Sequence, residues 1–249
     1  MPAALYKGAS YAFAGLRHLG DRDLRLFVLA PLLLNIVLFA LAIWWAGSAF
    51  ENWMDWLVQW LPDWLDWLEW LVWPIFALAI ILLVFYTFTM IANIIGAPFN
   101  GLLAEKVEQR QLPGVEPATG RSMWQEIPYA LVHEVRKWAY IVPRALPLLV
   151  IFLLPGLNAL APLLWFGFGA WMLALEYVDY PMGNHGISFR EQRRMLSERR
   201  MMTLGFGAAV MVMTLVPGLN FLSMPSAVIG ATLMWTEQFR ADQDSLDSS

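Results

Sequence analysis

The sequence predicts an all-α integral membrane protein with two long transmembrane helices, two re-entrant hairpins that enter half of the membrane, and an amphipathic N-terminal segment. Of its 249 residues, 59% are hydrophobic and only 14% are charged, whereas an ordinary soluble domain has roughly 25% charged residues. Four uncharged runs of at least 21 residues occur along the chain, and about 20 apolar residues suffice for a helix to cross a bilayer. We therefore treat residues 1–249 as a single membrane domain.

Residues 1–25 are predicted to form a cytoplasmic amphipathic segment. They lack the short apolar core and small-residue cleavage site of a signal peptide, so we expect the N-terminus to be retained. The segment contains Gly15, Leu16, Arg17 and His18. Backbone N–H groups approach a ligand closely at glycine and a guanidinium offers two fixed donors, so these residues are a candidate oxyanion site. Alternatively, Arg17 only helps to set the orientation of the first span.

Two continuous spans are predicted at residues 26–46 and 74–99, neither of which contains a charged residue. A helix of 21 residues is about 30 Å long and matches the thickness of the hydrocarbon core. Residues 47–73 are expected to be a periplasmic loop that is acidic and rich in tryptophan, since nine of the 14 tryptophans lie between positions 44 and 73. Several of these tryptophans recur every three or four residues, so we expect two short helices divided by Pro62. Because tryptophan prefers the headgroup region, this loop is either an interfacial anchor or a vestibule or oligomer contact.

Two longer uncharged runs, residues 145–175 and 201–236, are predicted to be re-entrant hairpins. Both contain the tetrapeptide Pro-Gly-Leu-Asn, at positions 155–158 and 217–220, so the copies lie 62 residues apart. The ten residues before the first copy make about 15 Å of helix, which is half of the membrane thickness. A turn at that depth requires protein or a watery cavity around it. Four or more ordinary spans with imperfect helices are the alternative.

The distribution of charge predicts the topology. The net charge is −4, but five acidic residues of the 47–73 connection leave 16 basic and 15 acidic residues elsewhere. No lysine or arginine lies between Arg25 and Lys106, so all basic residues fall on one predicted side of the membrane. Since cytoplasmic loops carry an excess of basic residues, we expect a multi-pass protein with a cytoplasmic N-terminus. A nucleic-acid partner would need a basic field, which this composition lacks.

Few polar side chains lie in or beside the apolar runs. The amides are Asn35, Asn93, Asn158 and Asn220, and Glu176 follows the first hairpin. Polar groups inside a membrane usually face the protein interior, so these residues are candidates to line a pore, although hydrogen bonds between helices explain the amides equally well. The chain has no cysteine, metal-binding histidine spacing, nucleotide loop or catalytic motif. We therefore expect no enzyme activity, metal or other cofactor.

Several stretches have the order and spacing of a known family. They are Gly15-Leu16-Arg17, the sequence ANIIGAPFNGLLAE at 92–105, the sequence EYVDYPMGNH at 176–185, and the second hairpin from VPGLN at 216–220 through residue 232. Together they resemble the bacterial CysZ family of sulfate permeases over nearly the whole chain. The tryptophan-rich connection is the least similar part.

The resemblance implies ATP-independent uptake of sulfate across the bacterial inner membrane, by a channel or transporter, for sulfate assimilation and cysteine biosynthesis. It also implies two long spanning helices, two pairs of half-penetrating helices and a homo-oligomer surrounded by membrane lipid. Under this resemblance sulfate binds at Gly15, Leu16 and Arg17. The alternative function is a membrane scaffold or accessory subunit that does not transport, in which the hairpins only anchor the chain.

His18 stands where relatives often have a second basic residue. An ordinary histidine has a pKa near 6.5 and is mostly neutral at pH 7. If His18 contributes to the site, sulfate should therefore bind more tightly as the pH falls.

Overall fold

The computed structural model describes residues 2–58, 69–114 and 123–240, and every regular element in these ranges is a helix. In chain order they are α1 (Pro2–His18), α2 (Arg25–Val58), α3 (Glu69–Gln111), α4 (Met123–Leu153), α5 (Ala161–Asn184), α6 (Phe189–Glu198), α7 (Arg200–Leu215) and α8 (Asn220–Gln238), with a 3₁₀ turn at Asn158–Leu160 before α5. The predicted all-α class is confirmed for this part of the chain.

The chain divides into two compact units. One is Leu26–Phe99, which holds most of α2 and the larger part of α3, and the other combines Met1–Arg25 with Asn100–Ser249. The N-terminal helix therefore belongs with the C-terminal helices, not with the helix that follows it in the sequence.

The helices of the Leu26–Phe99 unit are longer than a bilayer is thick. α2 has 34 residues and α3 has 43, which correspond to about 51 Å and about 65 Å of helix. Residues Arg25–Ser48 are long and apolar enough to cross a membrane, and they include the predicted span at 26–46. Large apolar side chains on this stretch, such as Leu33 and Ile36, are exposed. So much exposed apolar surface is typical of contact with lipid or with another protein.

The connection between the first two predicted spans is helical in its described residues, as its tryptophan spacing indicates, but its helices continue α2 and α3 and do not stand alone. Residues 47–58 continue α2, because no proline interrupts the chain between Pro31 and Pro62. Residues 69–73 begin α3. Residues 59–68 lie outside the described residues, so the expected loop is not described there. Its periplasmic location stays a prediction.

The two Pro-Gly-Leu-Asn tetrapeptides form the same turn. Gly156 has a φ of +87° and Gly218 a φ of +88°, a left-handed conformation that glycine adopts without steric cost. The backbone N–H of Asn158 donates to the carbonyl of Leu154 over 3.0 Å, and the N–H of Asn220 donates to the carbonyl of Val216 over 3.1 Å. The internal repeat seen in the sequence therefore has the same backbone conformation in both copies.

The helices of the first hairpin extend beyond its predicted limits. α4 begins at Met123 and α5 ends at Asn184, whereas the uncharged run covers only residues 145–175. Arginine, lysine and glutamate are good helix formers, so the charged residues that flank the run do not end the helices. The second hairpin, α7 and α8, closely matches its predicted range of 201–236.

The lengths of the hairpin helices bear on their depth in the membrane. Residues Asn158–Asn184 are long and apolar enough to cross it, and Arg200–Leu215 is a shorter apolar helix. With 16 residues, α7 is about 24 Å long, which is less than the ~30 Å of the hydrocarbon core. The half-membrane arrangement of both hairpins stays a prediction.

The core of the second unit lies where α1, α5, α7 and α8 meet. α1 packs against α7 and α8, and α5 packs against the same two helices. The largest fully buried side chains include Trp235 and Phe206. α1 contributes Tyr11 and Ala12 to this core while Tyr6 remains exposed, so its buried face contacts the chain's own helices. Contact of α1 with the membrane surface stays a prediction.

Candidate functional site

The sequence-predicted oxyanion motif lies in the last turn of α1. Gly15 is buried, and a Cβ added to it would lie 1.9 Å from the carbonyl oxygen of Ser226 and 2.8 Å from the backbone nitrogen of Gly230. No other residue fits here without moving one of the two helices. Next to it, the hydroxyl of Ser226 donates to the carbonyl of Ala12 over 3.1 Å. Gly15 therefore allows α1 and α8 to cross in backbone contact.

This placement corrects one expectation about the motif. We expected glycine to expose backbone N–H donors to an anion, but Gly15, Leu16 and Arg17 lie inside the helix Pro2–His18. Helical N–H groups donate to carbonyls four residues earlier and are not free for a ligand. The C-terminal end of a helix also carries partial negative charge, which disfavours anions. Any anion bound here is held by side chains.

The two polar side chains at the end of α1, those of Arg17 and His18, differ in their contacts. Arg17 is exposed and forms no ion pair with any residue that the structure describes. The Nδ1 atom of His18 lies 2.9 Å from the Oδ2 atom of Asp21. The same carboxylate also pairs with Arg110 of α3. Arg17 is therefore the member of the motif that is available to a ligand, whereas His18 already has an acidic partner.

Asp21 connects α1 to α3. Hydrogen bonds first from Arg110 and then from His18 hold the pKa of the Asp21 carboxyl below its usual range. In return, Asp21 raises the pKa of Arg110. Asp23 adds a longer contact, with 3.8 Å between its Oδ1 atom and the Nη1 atom of Arg110. The connection after α1 is therefore held by ion pairs outside the apolar helices.

Three of the five candidate pore-lining residues have side chains that the structure describes. Asn158 and Asn220 lie in the two hairpin turns and are exposed. Glu176 lies in α5, 18 residues after Asn158 in the sequence, which is about 27 Å if measured along a helix. Its carboxylate lies 2.6 Å from the Nζ atom of Lys137, which is itself buried. The side chains of Asn35 and Asn93 lie outside what the structure describes. A pore lined by these five residues stays a prediction.

A buried charged cluster was not predicted from the sequence. The Nε2 atom of His185 lies 2.8 Å from both carboxylate oxygens of Glu108, and Arg240 pairs with the same carboxylate. The side chains of Glu108 and His185 are only 6% and 8% exposed, so the carboxylate has lost most of its hydration and depends on these two donors. We refer to Glu108, His185 and Arg240 as the buried charged cluster.

Polar contacts around the buried charged cluster fix α3 against α5. The Nδ2 atom of Asn184 donates to the carbonyl of Gly101 over 2.9 Å, and the Nδ2 atom of Asn100 donates to the Tyr180 hydroxyl over 3.2 Å. The rings of His185 and Trp235 are 5.8 Å apart. The Trp235 Nε1 atom is buried and has no hydrogen-bond partner among the described residues. These contacts surround the buried charged cluster with groups from α3, α5 and α8.

The buried charged cluster draws its members from distant parts of the chain. Glu108 and His185 are 77 residues apart, and Glu108 and Arg240 are 132 residues apart. His185 closes the sequence EYVDYPMGNH, which was the one signal available in advance. One carboxylate and one guanidinium cancel in charge, and His185 adds a hydrogen bond to the same carboxylate.

Comparisons with known proteins match most of the chain to one family. The family described as "Sulfate transporter CysZ/Etoposide-induced protein 2.4" matches residues 11–225. A "Sulfate transporter CysZ" of Pseudomonas aeruginosa (strain LESB58) is 45% identical over 240 residues, which cover 96% of this chain and 97% of that protein. Proteins of the same name from Pseudomonas fluorescens (strain Pf0-1) and Pectobacterium atrosepticum are each 43% identical, over 97% and 94% of this chain and 98% and 86% of their own lengths. The resemblance seen in the sequence is confirmed, and the chain belongs to the sulfate transporter CysZ/etoposide-induced protein 2.4 family.

Proposed function

We propose that the protein takes up sulfate across the bacterial inner membrane, without ATP hydrolysis, for sulfate assimilation and cysteine biosynthesis. The observation that carries the proposal is identity of 43–45% over at least 94% of the chain to proteins named as sulfate transporters. The family and these relatives are named for transport and not for catalysis, which agrees with the expectation that the chain is not an enzyme.

The helices support a multi-pass topology. We propose that α2 crosses outward and α3 returns, and that the two hairpins enter from the cytoplasmic side. The turns carry exposed apolar side chains, including Leu153 and Leu163 around the first turn and Leu215 and Phe221 around the second. Such tips are suited to lipid or to a partner copy and not to water. The exposed surface also supports the expected contact with membrane lipid and a homo-oligomer.

Arg17 is the residue that we propose makes first contact with sulfate. It is exposed at the end of α1 and has no ion pair with a described residue, so binding does not require an existing pair to break. A guanidinium donates two hydrogen bonds to two oxygens of a tetrahedral dianion. His18 follows Arg17 directly, but its contact with Asp21 competes with any contact to the anion.

Sulfate flux into proteoliposomes tests this function. We expect the purified protein to accelerate uptake of labelled sulfate without ATP and Arg17→Ala to reduce the rate about tenfold, since a charge-assisted hydrogen bond contributes roughly 1.5–3 kcal/mol. Arg22→Ala is the matched control, because Arg22 is also exposed, close to α1 and without an ion pair to a described residue. It should retain wild-type flux.

The same experiment separates transport from the scaffold alternative. Flux equal to that of protein-free vesicles, from protein shown to be folded and inserted, would contradict the transport function. Equal flux in the Arg17→Ala variant and the wild type would instead leave transport intact and remove Arg17 from the site.

A further inference from the structure

Helices α4, α5 and α6 line a cavity of about 720 Å³ that has no lining residue from α1. Four of its eight lining residues are arginines and one is acidic. The lining residues are Tyr140, Arg144, Trp171, Arg190, Glu191, Arg193, Arg194 and Ser197. We refer to this site as the arginine cavity.

Most of the positive charge in the arginine cavity is not neutralised by the described residues. Its carboxylate, that of Glu191, lies 3.4 Å from the Nε atom of Arg194, which also lies 3.6 Å from Glu198. Arg144, Arg190 and Arg193 have no ion pair with any residue in the described part of the chain. Three guanidinium groups around one cavity create a local positive potential that attracts anions.

Aromatic rings hold two of these arginines in place. The guanidinium carbon of Arg144 lies 3.8 Å from the centre of the Tyr140 ring and that of Arg193 lies 4.4 Å from the same centre. Arg193 is also 5.3 Å from the centre of the Phe189 ring. Cation–π contacts orient guanidinium groups, but they do not cancel the repulsion between two like charges on one ring. An anion that contacts both groups would cancel it.

One arginine that lines the arginine cavity also has a buried donor without an acceptor among the described residues. The Nε atom of Arg193 is fully buried and has no hydrogen-bond partner within the described residues, and such an atom normally has one. The cavity includes the first turn of α6, where Ser188 caps the helix by accepting a hydrogen bond from the Glu191 N–H. The partial positive charge at this helix end adds to that of the arginines.

We propose that the arginine cavity binds a tetrahedral oxyanion, a sulfate or phosphate group, at a site separate from the end of α1. The planar guanidinium presents paired donors that match two oxygens of such a group. The volume accommodates either a free ion with bound water or the phosphate of an anionic lipid headgroup. The proposal does not depend on whether the chain transports sulfate, because it concerns binding alone.

Binding to the full-length protein in detergent tests the proposal. All variants carry Arg17→Ala, so that the end of α1 does not contribute. One arm measures equilibrium binding of labelled sulfate and inorganic phosphate, and the other measures binding of phosphatidylglycerol against phosphatidylcholine. We expect Arg190→Gln to weaken oxyanion binding about tenfold and the further change Arg193→Gln to abolish it, because each removes a charge-assisted donor. Arg22→Gln, outside the arginine cavity, should have no effect.

The two arms identify the source of the oxyanion. Loss of sulfate and phosphate binding in the cavity variants supports a free ion as the ligand, and loss of selectivity for phosphatidylglycerol alone supports a lipid headgroup. Unchanged binding of both in the double variant overturns the proposal, as does the absence of oxyanion and phosphatidylglycerol binding before any cavity substitution. Arg190 is exposed, so Arg190→Gln alone decides the question if the double variant does not fold.

Discussion

The two hairpins share one turn but differ in their surroundings. In the second hairpin, the side chains of α8 from Ala227 to Trp235 are buried, because α1 and α5 both pack against α7 and α8. In the first hairpin, Leu146, Leu149 and Val150 of α4 are exposed. The repeated tetrapeptide thus determines the local backbone in both copies, whereas burial depends on the neighbouring helices, one of which comes from the other end of the chain.

The largest effect is expected where one residue joins the two hairpins. His185 follows α5 and Arg240 follows α8, and both pair with Glu108. Glu108→Ala leaves the Arg240 guanidinium, which is only 17% exposed, without its carboxylate and should lower stability by about 3 kcal/mol. Glu105→Ala is the control, since Glu105 lies on the same helix and is less buried. Thermal unfolding in detergent measures both. Equal losses would mean that the cluster does not hold the hairpins.

A slightly smaller effect is expected where α1 covers the second hairpin. Gly15→Ala places a methyl group against the backbone of α8 and should cost about 2 kcal/mol, typical of overpacking. Gly167→Ala in the first hairpin is the matched control, because nothing lies within 4 Å of its Cβ position. That change should be neutral or slightly stabilising, since alanine is the better helix former. Equal unfolding temperatures would contradict the packing difference between the hairpins.

The two Pro-Gly-Leu-Asn turns should respond alike to substitution of their glycine. Gly156→Ala and Gly218→Ala each force a side chain into the left-handed region, which costs about 1–2 kcal/mol. We expect the two variants to lose similar stability in thermal unfolding, despite the different burial of their helices. A loss of stability in only one of the two variants would show that the two turns are not equivalent.

The smallest effect concerns pH at the connection after α1. The folded-state pKa of Asp21 is depressed, so its pairing stabilises the protein above the unfolded pKa of about 4 and is lost as the pH falls through the folded value. The stability difference between the wild type and Asp21→Asn should therefore shrink as the pH falls below about 4. The effect should be small because the pair is partly exposed. Unfolding at several pH values from about 5 downward measures it, and a difference that does not shrink over the acidic range would contradict it.

Local signals in the sequence predicted local structure. Apolar runs of sufficient length predicted the helical class and the helix at 26–46, and the Pro-Gly pairs predicted both turns, since these features depend on residues close in sequence. The start of α4 at Met123 was missed, because charged residues were taken as the end of the helix although they also favour helix formation. The tryptophan spacing predicted helix at residues 47–58, but not that it continues α2 without a break.

The candidate site depended on contacts that no short stretch contains. The sequence around Gly15 is the same whether the glycine exposes backbone donors to a ligand or allows another helix to pack closely. Only the position of Gly230 beside Gly15 shows that it allows close packing. Likewise, Glu108 and Arg240 are ordinary charged residues until the fold brings them together. Arg17 could be chosen from the sequence as a ligand-binding candidate. The sequence could not show that Arg17 forms no ion pair with the described residues.

The crossing of α1 and α8 also determines which parts can move together. Gly15 leaves no side chain between the two backbones, so there is no compressible layer that would let one helix slide independently over the other. A displacement of α8 therefore carries the end of α1 with it, and Arg17 travels as part of the second hairpin. The predicted anion contact is in this sense mechanically coupled to a helix that we predict to enter the membrane, although the two are separated by most of the sequence.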